Sequence, residues 1–470
     1  MTHPSSVSSS TPRSWRILIA VAIVTIVSVA YLNHDALGTR GQAACGVVCF
    51  IGLVAACSSN LRAVSLRTIG FGIALQFALA LAVTQSTDVQ AVLNWVGKGV
   101  NNLLGFSSQG GQFVFGNVAN PGDMAKVFGK DSKFPFAFVV LPPIIFVSAL
   151  FSLLYYFGVL QFIVRIFSRV MMFLMRTSGA ETLSVSANVF MGQTEAPLIV
   201  KPFVARMTQS ELLAMMASGM AHVSGGMMAV YIGYMSSYTS PEAAAAAILA
   251  TVVMACPCSL YLSKLLLPET EVPETRGNAT IVVEQKHVNP IDAIAAGTTD
   301  GLKLALNVAA MLIAFIALVA LMNSLLGSIK PLLMWSGFTE DTLNGWPDNL
   351  TMEYLLGWVF RPVAFLIGVQ PDECGKVGSL LGVKLVLNEH VAFLSMTKSP
   401  EYADLSIRSR TLAAYALTGF ANFASVGIQL GGIGAMAEGR RADLARLGMR
   451  ALFIGFMATL LNAAVAGLLL

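Results

Sequence analysis

The sequence predicts an all-α polytopic membrane protein, and three observations support this fold class. Of the 470 residues, 56% are hydrophobic and only 11% are charged, whereas soluble domains carry about 25% charged residues. Apolar runs of about 20 residues, the length that crosses a bilayer as a helix, recur along the chain. Two short polar segments, residues 192–197 and 388–389, interrupt this pattern and are called the polar islands below. The order of elements around them repeats. The lipid bilayer is therefore expected to be the solvent for most of the surface.

About nine apolar segments are long enough to cross a bilayer as helices. The predicted spans are residues 15–32, 43–58, 68–84, 134–160, 210–235, 241–264, 301–327, 409–436 and 449–470. The segments 88–104 and 161–176 are amphipathic and are predicted to be interfacial helices. The first span could alternatively be a signal peptide that is removed.

These segments divide the chain into six regions. They are a disordered N-terminal tail at 1–14, N-terminal and scaffold helices with an interfacial helix at 15–133, a first repeat at 134–264 with a re-entrant hairpin at 178–206, a polar loop at 265–300, a second repeat at 301–436 with a re-entrant hairpin at 375–400, and a final transmembrane helix at 437–470.

The two repeats are expected to be inverted. In each, a span is followed by an interrupted polar segment and then by a span broken by Gly and small polar residues. Such paired, interrupted segments indicate a transporter binding site near the midplane of the membrane. The short basic turns at 59–67 and 437–450 fall on one side of the membrane, which predicts a cytoplasmic N-terminus and an outside C-terminus.

The polar islands contain buried carboxylates, which are the first candidates for function. Glu195 lies in Gly-Gln-Thr-Glu-Ala-Pro at 192–197, and Glu389 follows Asn388 in the second hairpin. A charge inside the bilayer costs about 2.5–3.5 kcal/mol or more, so such residues are functional candidates. The two carboxylates could accept hydrogen bonds from a sugar, coordinate a cation or carry a proton. Alternatively, they cap broken helix ends.

Other polar residues of the islands and of the interrupted stretches at 221–227 and 419–427 belong to the same candidate site. Gln193 and Asn422 offer both a donor and an acceptor, which suits the edge of a base or an amide. Phe420 could stack on a flat ring. Thr194 and Ser425 are either ligands or caps of the broken helices.

Two histidines, His222 and His390, lie in the broken elements. Because histidine changes charge near neutral pH, proton coupling or substrate contact is one interpretation. A neutral, hydrogen-bonded side chain that only fills space is the other.

Several function classes are disfavoured. The six cysteines do not form a zinc or disulfide pattern, no basic run interleaves with aromatic residues as nucleic-acid binding requires, and no cofactor is expected. A membrane-embedded enzyme would fit buried carboxylates, but HExxH, GxSxG and Asp-rich metal motifs are absent from the sequence. A passive channel would require a continuous polar stripe, whereas the polar residues form islands.

At these residues the chain resembles the concentrative nucleoside transporter family over about residues 50–470. The motifs that carry the resemblance are Gly-Gln-Thr-Glu-Ala-Pro at 192–197, Leu-Pro-Glu-Thr-Glu at 267–271, Gly-Val-Lys-Leu-Val-Leu-Asn-Glu-His-Val-Ala-Phe at 382–393 and Gly-Phe-Ala-Asn-Phe-Ala-Ser at 419–425. The resemblance implies a bacterial inner-membrane symporter that forms a homotrimer and imports nucleosides, pyrimidine nucleosides such as uridine first, by an elevator-like shift of a transport domain.

The resemblance also implies roles for the candidate residues. Gln193 and Thr194 would contact the base, Glu195 would support them, and Phe420 would pack near the base. Glu389, Asn422 and Ser425 would hold the ribose. The position of the family's sodium site corresponds to Asn188, His222, Val223 and Met227, the last two mainly through backbone carbonyls.

The sequence departs from the family pattern at two positions. His222 stands where sodium-coupled members have a small Ser, and His390 stands where the motif usually has Phe. Because Na⁺ prefers oxygen ligands, an imidazole at the first position would crowd or replace one ligand. Coupling to Na⁺ and coupling to H⁺ therefore both remain open, as does a symporter for a different small polar substrate. His390 could change which nucleoside fits.

Overall fold

The computed structural model describes residues 10–119, 136–276, 287–339, 342 and 350–470. Throughout this part the regular elements are helices, and no β-strand occurs among the described residues. In chain order the helices are α1 Arg13–Leu32, α2 His34–Ala56, α3 Leu66–Gln85, α4 Thr87–Phe115, α5 Phe136–Tyr156, α6 Val159–Met175, α7 Gly179–Ala187, α8 Ala196–Ile199, α9 Lys201–Val204, α10 Gln209–Ala221, α11 Gly225–Met235, α12 Pro241–Leu266, α13 Pro290–Gly327, α14 Ile329–Trp335, α15 Met352–Leu366, α16 Cys374–Val386, α17 Glu389–Lys398, α18 Ile407–Leu417, α19 Phe423–Gly434 and α20 Arg441–Leu469.

By length and composition, seven stretches in the described part could cross a membrane. They are Arg13–Leu32, His34–Ala56, Leu66–Gln85, Gln209–Met235, Pro241–Leu266, Ile316–Trp335 and Glu438–Leu469. An eighth candidate is the pair Leu141–Tyr156 and Val159–Met175, which is bent by 74° where Gly158 has a φ of 78°. The all-helical membrane fold is thus confirmed, and the count of nine spans stays a prediction.

Two predicted region boundaries differ from the structure. The tail predicted at 1–14 is helical from Arg13, and the Thr11 hydroxyl donates to the Ser58 carbonyl at 2.9 Å; residues 1–9 lie outside the described part. The polar loop predicted at 265–300 already becomes helix at Pro290, because the Asn289 side chain accepts from the Asp292 N–H at 2.9 Å and caps α13. Residues 277–286 of that loop lie outside the described part.

A further difference concerns one amphipathic segment, whereas the two spans expected to be broken are interrupted in the structure. The interfacial helix predicted at 88–104 is longer and extends over Thr87–Phe115. The span predicted at 409–436 consists of two helices, α18 and α19, separated by residues 418–422. The span predicted at 210–235 is divided in the same way into α10 and α11.

Capping boxes and one ion pair anchor the first hairpin. Ser178 and Glu181 form a capping box at the start of α7, and Thr208 and Glu211 form another at the start of α10. The Ser178 hydroxyl also donates to the Glu211 carboxylate at 2.5 Å. Lys264, near the end of α12, lies 2.7 Å from the Glu181 carboxylate. One end of the hairpin is therefore fixed to the start of the broken helix that follows it.

The second hairpin is anchored by an equivalent arrangement. Glu373, at the start of α16, accepts from the Ser406 backbone N–H at 2.5 Å and from the Ser406 hydroxyl at 2.8 Å, and the Ser409 hydroxyl donates to the same carboxylate. These serines begin α18, the first half of the second broken helix. Each of these two segments is thus tied to the first half of the broken helix that follows it.

The last helix, α20, lies at the centre of the described molecule. It packs against α2, α10, α12, α18 and α19, and nearly all residues from 451 to 467 are buried. It therefore contacts the first half of each broken helix, α10 and α18, and forms a support common to both breaks.

Candidate functional site

The breaks in the two interrupted helices meet in space. The N–H of Phe420, in the second break, donates to the carbonyl of His222, in the first break, at 3.0 Å. Gly419 has a φ of 149°, and a Cβ there would lie 2.9 Å from the Ala221 carbonyl oxygen. The side chains next to the breaks are therefore brought to one place, as the sequence predicted.

Glu389 is the centre of one half of the site. It is 4% exposed and lies at the first position of α17. Its two carboxylate oxygens accept from the Tyr231 hydroxyl and from Asn422 Nδ2, each at 3.0 Å. The Asn422 Oδ1 atom in turn accepts from the Ser425 N–H at 2.9 Å and caps α19. Asn422 is thus both the cap of α19 and a hydrogen-bond partner of the carboxylate.

Gln193 is the centre of the other half. Its Nε2 donates to the Ser425 hydroxyl at 3.3 Å, and its Oε1 accepts from Gln429 Nε2 at 3.3 Å. Gln429 also donates to the Met216 carbonyl at 2.9 Å. Because α19 carries Ser425 and Gln429 one turn apart, it connects the first hairpin to the second break.

Thr194 and Glu195 occupy the outer part of the first island. The Thr194 methyl group packs against α19, since a Cβ on Gly432 would lie 2.5 Å from Thr194 Cγ2. Glu195 Oε2 accepts from the Gly192 N–H at 3.0 Å, and the Glu195 side chain is exposed in the isolated chain. Among the described residues, Glu195 forms no hydrogen bond with Glu389 or Gln193. Its carboxylate instead stabilises the turn at 192–195.

Two residues of the expected ion position, Asn188 and His222, contact Ser218. Asn188 Nδ2 donates to the Ser218 hydroxyl at 3.1 Å, while the Asn188 Oδ1 atom is buried without a hydrogen-bond partner in the described structure. His222 Nδ1 lies 2.8 Å from the Ser218 carbonyl oxygen, and Nε2 lies 3.3 Å from Cys256 Sγ. The imidazole therefore fills the space between α10 and α12 and uses both ring nitrogens there.

Val223 and Met227 are 0% and 2% exposed, so the other two residues of this position are also buried.

His390 packs against two tyrosines beside Glu389. Its Nε2 lies 3.5 Å from the Tyr234 hydroxyl, and its ring centroid lies 6.0 Å from that of Tyr231.

The structure adds three residues that sequence reasoning missed, Tyr231, Gln429 and Lys384. Gln429 and Lys384 carry a detectable signal, because each is a polar side chain within an apolar helix. Tyr231 carries no such signal, since tyrosine is common in apolar helices and only the fold brings its hydroxyl to Glu389.

Comparison with known families supports the same interpretation along most of the chain. Three family descriptions match: Na⁺ dependent nucleoside transporter N-terminus over residues 45–118, nucleoside recognition (Gate) over 137–238, and Na⁺ dependent nucleoside transporter C-terminus over 247–467.

Individual relatives cover similar ranges. An uncharacterized transporter of Haemophilus influenzae is 38% identical over 90% of this chain and 96% of that protein. Sodium/nucleoside cotransporter 1 of Homo sapiens is 36% identical over 90% of this chain, which spans only 63% of the length of the human protein.

Solved structures agree with this fold. The structure of CNTnw in an inward-facing substrate-bound state is 36% identical and covers 91% of this chain and 97% of that chain, with a TM-score of 0.81. A doubly substituted CNTnw in an outward-facing state also gives a TM-score of 0.81 and covers 92% of this chain. The chain is therefore a multi-pass membrane transporter and not an enzyme, and it belongs to the family of Na⁺-dependent nucleoside transporters.

Proposed function

We propose that this protein is a cation-coupled symporter that imports nucleosides across a bacterial inner membrane. The observation that carries the proposal is the convergence of Glu389 and Asn422 with Gln193 and Ser425 where the two broken helices meet. A nucleoside has a hydroxyl-rich end and an amide-like end. Paired carboxylate and carboxamide groups at one buried place match both ends.

Glu389, Asn422 and Ser425 are proposed to hold the ribose. A carboxylate that already accepts from Tyr231 and Asn422 retains acceptor capacity, because an ionised carboxylate has about four lone-pair sites. It can therefore accept from sugar hydroxyls without losing its position.

Gln193 and Thr194 are proposed to contact the base, with Phe420 packing near it and Glu195 supporting them through its bond to the Gly192 N–H. The Gln193 bonds to Ser425 and Gln429 are both 3.3 Å, which is long for a hydrogen bond. Exchange of the Ser425 bond for a stronger one to a base edge would therefore cost little, while the Gln429 bond keeps the amide oriented. Uridine and other pyrimidine nucleosides are the first substrates to test, and His390 beside Tyr234 is the proposed specificity residue.

The coupling ion is proposed to bind at Asn188, His222, Val223 and Met227. Na⁺ is the first candidate, because the family is sodium-dependent and the buried Asn188 Oδ1 atom offers an oxygen ligand. The second candidate is H⁺, because the His222 imidazole occupies the space next to Ser218.

Transport is proposed to occur by an elevator-like movement in a homotrimer, with a cytoplasmic N-terminus and a periplasmic C-terminus. The hairpins and the broken helices would move together, since each hairpin is fastened to its own broken helix through Glu211 or Glu373.

Uptake of labelled uridine into proteoliposomes tests the function. A Na⁺ gradient alone and a H⁺ gradient alone are imposed in turn, and accumulation under one of them is expected. Glu389→Gln should abolish or severely reduce uptake at normal expression, whereas Glu401→Gln, on an exposed turn of the same region, should not. Absence of uridine accumulation under both gradients, or normal uptake by Glu389→Gln, would contradict the proposal.

A further inference from the structure

The carbonyl of Ala416 has lost its normal helical partner. In a continuous α-helix this oxygen would accept from the N–H of residue 420, four positions later. Here α18 ends at Leu417, and the Phe420 N–H donates to the His222 carbonyl at 3.0 Å instead. A buried carbonyl without a partner is destabilising, so the break requires a substitute donor.

Lys384 of the second hairpin supplies that donor. Its Nζ donates to the Ala416 carbonyl at 2.6 Å and to the Thr459 hydroxyl, on α20, at 2.8 Å. The side chain is completely buried, and Nζ lies 5.4 Å from the centroid of the Phe456 ring. A fully buried lysine is rare, and neither of these two acceptors is a carboxylate.

The position of the ammonium suits the end of a helix. The last carbonyls of a helix carry partial negative charge, which a cation stabilises. Ala416 is in the last turn of α18, so the Lys384 charge acts at the point where the helix must stop. The Thr459 methyl group also packs against Gly419, since a Cβ on Gly419 would lie 2.7 Å from Thr459 Cγ2.

We propose that Lys384 is a positioning residue. Its ammonium donates to the Ala416 carbonyl and thereby keeps the second broken helix interrupted, which holds Phe420 and Asn422 in the binding site. Without the ammonium, Ala416 regains its partner only if the Phe420 N–H leaves His222. The helix then continues, and Asn422 turns away from Glu389. The effect of Lys384 on nucleoside binding is thus indirect, and this part of the inference rests on the proposed function.

Lys384→Met and Lys384→Ala test the proposal with binding of labelled uridine to the purified full-length protein. Lys384→Met keeps an unbranched apolar stem but removes the charge and the donors. Affinity should fall about tenfold or more, as expected for the loss of a charge-assisted hydrogen bond. Lys376→Met is the matched control, because Lys376 lies on the same helix but forms an exposed ion pair with Asp404.

Chemical rescue separates positioning from general packing. In Lys384→Ala, ethylammonium should restore part of the uridine affinity, because it fits the vacated space and carries N–H donors. Tetramethylammonium has the same charge but no N–H group and should restore nothing. Equal rescue by both cations, or a Lys384→Met affinity within twofold of wild type, would overturn the proposal.

A second readout does not depend on the substrate. Ethylammonium, but not tetramethylammonium, should raise the unfolding temperature of solubilised Lys384→Ala, whereas wild type should respond to neither. If wild type failed to bind uridine, the proposed function would be contradicted, and this thermal comparison would still decide the role of the ammonium. Should the Lys384 variants not fold, Thr459→Val removes one acceptor and should weaken uridine binding. Unchanged binding by Thr459→Val would then count against the proposal.

Discussion

The carbonyl oxygen of His222 accepts a hydrogen bond of 3.0 Å from the N–H of Phe420, and this bond joins the breaks of the two interrupted helices. One partner belongs to the first repeat and the other to the second. Because both groups are on the backbone, the contact does not depend on either side chain. This bond directly joins a residue of the expected ion position to the residue proposed to pack against the base.

Gly419→Ala should break this junction. Gly419 has a φ of 149°, and an added Cβ would lie 2.7 Å from Thr459 Cγ2 and 2.9 Å from the Ala221 carbonyl oxygen. Such a backbone conformation costs a residue other than Gly about 1–3 kcal/mol, so nucleoside uptake should fall at least tenfold. Gly427→Ala is the control, since nothing lies within 4 Å of its Cβ position. Equal uptake by the two variants would show that the junction is not required.

Tyr231→Phe should weaken nucleoside binding without preventing folding. The Tyr231 hydroxyl donates to Glu389 Oε1 at 3.0 Å, and a hydrogen bond to a charged group contributes about 1.5–3 kcal/mol. Its loss leaves the carboxylate less restrained, so uridine affinity should fall about tenfold. Binding of 3′-deoxyuridine should fall less, because that ligand lacks one of the hydroxyls assigned to Glu389.

Tyr234→Phe is the matched control for this prediction. Tyr234 is on the same helix, but its hydroxyl lies 3.5 Å from His390 Nε2, at the limit of a hydrogen bond. Uridine affinity should change by less than about threefold. A larger effect for Tyr234→Phe than for Tyr231→Phe would contradict the role assigned to Tyr231.

The hairpins were predictable from sequence because their signals are local. Carboxylates and amides stand out in apolar segments, and the ranges 178–206 and 375–400 correspond to the short helices α7–α9 and α16–α17; that these segments are re-entrant stays a prediction. Gly419 and the polar residues after it likewise marked the second break. The start of α13 at Pro290 was missed although Asn289 and Pro290 form a capping signal, because the polar composition of the segment favoured a loop.

The partners of the site residues were not predictable, because they depend on which helices pack together. Nothing in the sequence pairs Tyr231 with Glu389, which is 158 residues away, or Gln429 with Gln193, which is 236 residues away. Lys384 was visible as a charge in an apolar segment. Its proposed role can be inferred only from the structure, in which the Phe420 N–H donates to the His222 carbonyl and leaves the Ala416 carbonyl to Lys384.

Gln429→Leu should change selectivity for the base. Gln429 Nε2 donates to Gln193 Oε1 at 3.3 Å and to the Met216 carbonyl at 2.9 Å, so it fixes the orientation of the Gln193 amide. Without it the amide can rotate, and the ratio of uridine to adenosine affinity should move toward one. Competition between the two nucleosides for labelled uridine measures this ratio. A parallel loss of both affinities, with the ratio unchanged, would show that Gln429 has only a packing role.

His222→Ser should increase the dependence of uptake on Na⁺. The substitution removes the ring that lies between the Ser218 carbonyl and Cys256 Sγ, and it leaves the oxygens of Asn188 and Ser218 around the vacated space. Because Na⁺ prefers oxygen ligands, replacement of a nitrogen ring by a hydroxyl should favour the ion. Uridine uptake at a fixed pH is measured against external Na⁺, with choline as the substitute cation.

The expected result is a larger ratio of uptake in Na⁺ to uptake in choline for His222→Ser than for wild type, by about tenfold if one new oxygen ligand contributes as much as one charge-assisted hydrogen bond. His34→Ser, at the partly exposed start of α2, is the control and should keep the wild-type ratio. If uptake by the His222→Ser variant is lost under a Na⁺ gradient but wild-type uptake follows a H⁺ gradient, the imidazole itself takes part in coupling. An unchanged ratio in a variant that still transports would place the ion away from Asn188 and Ser218.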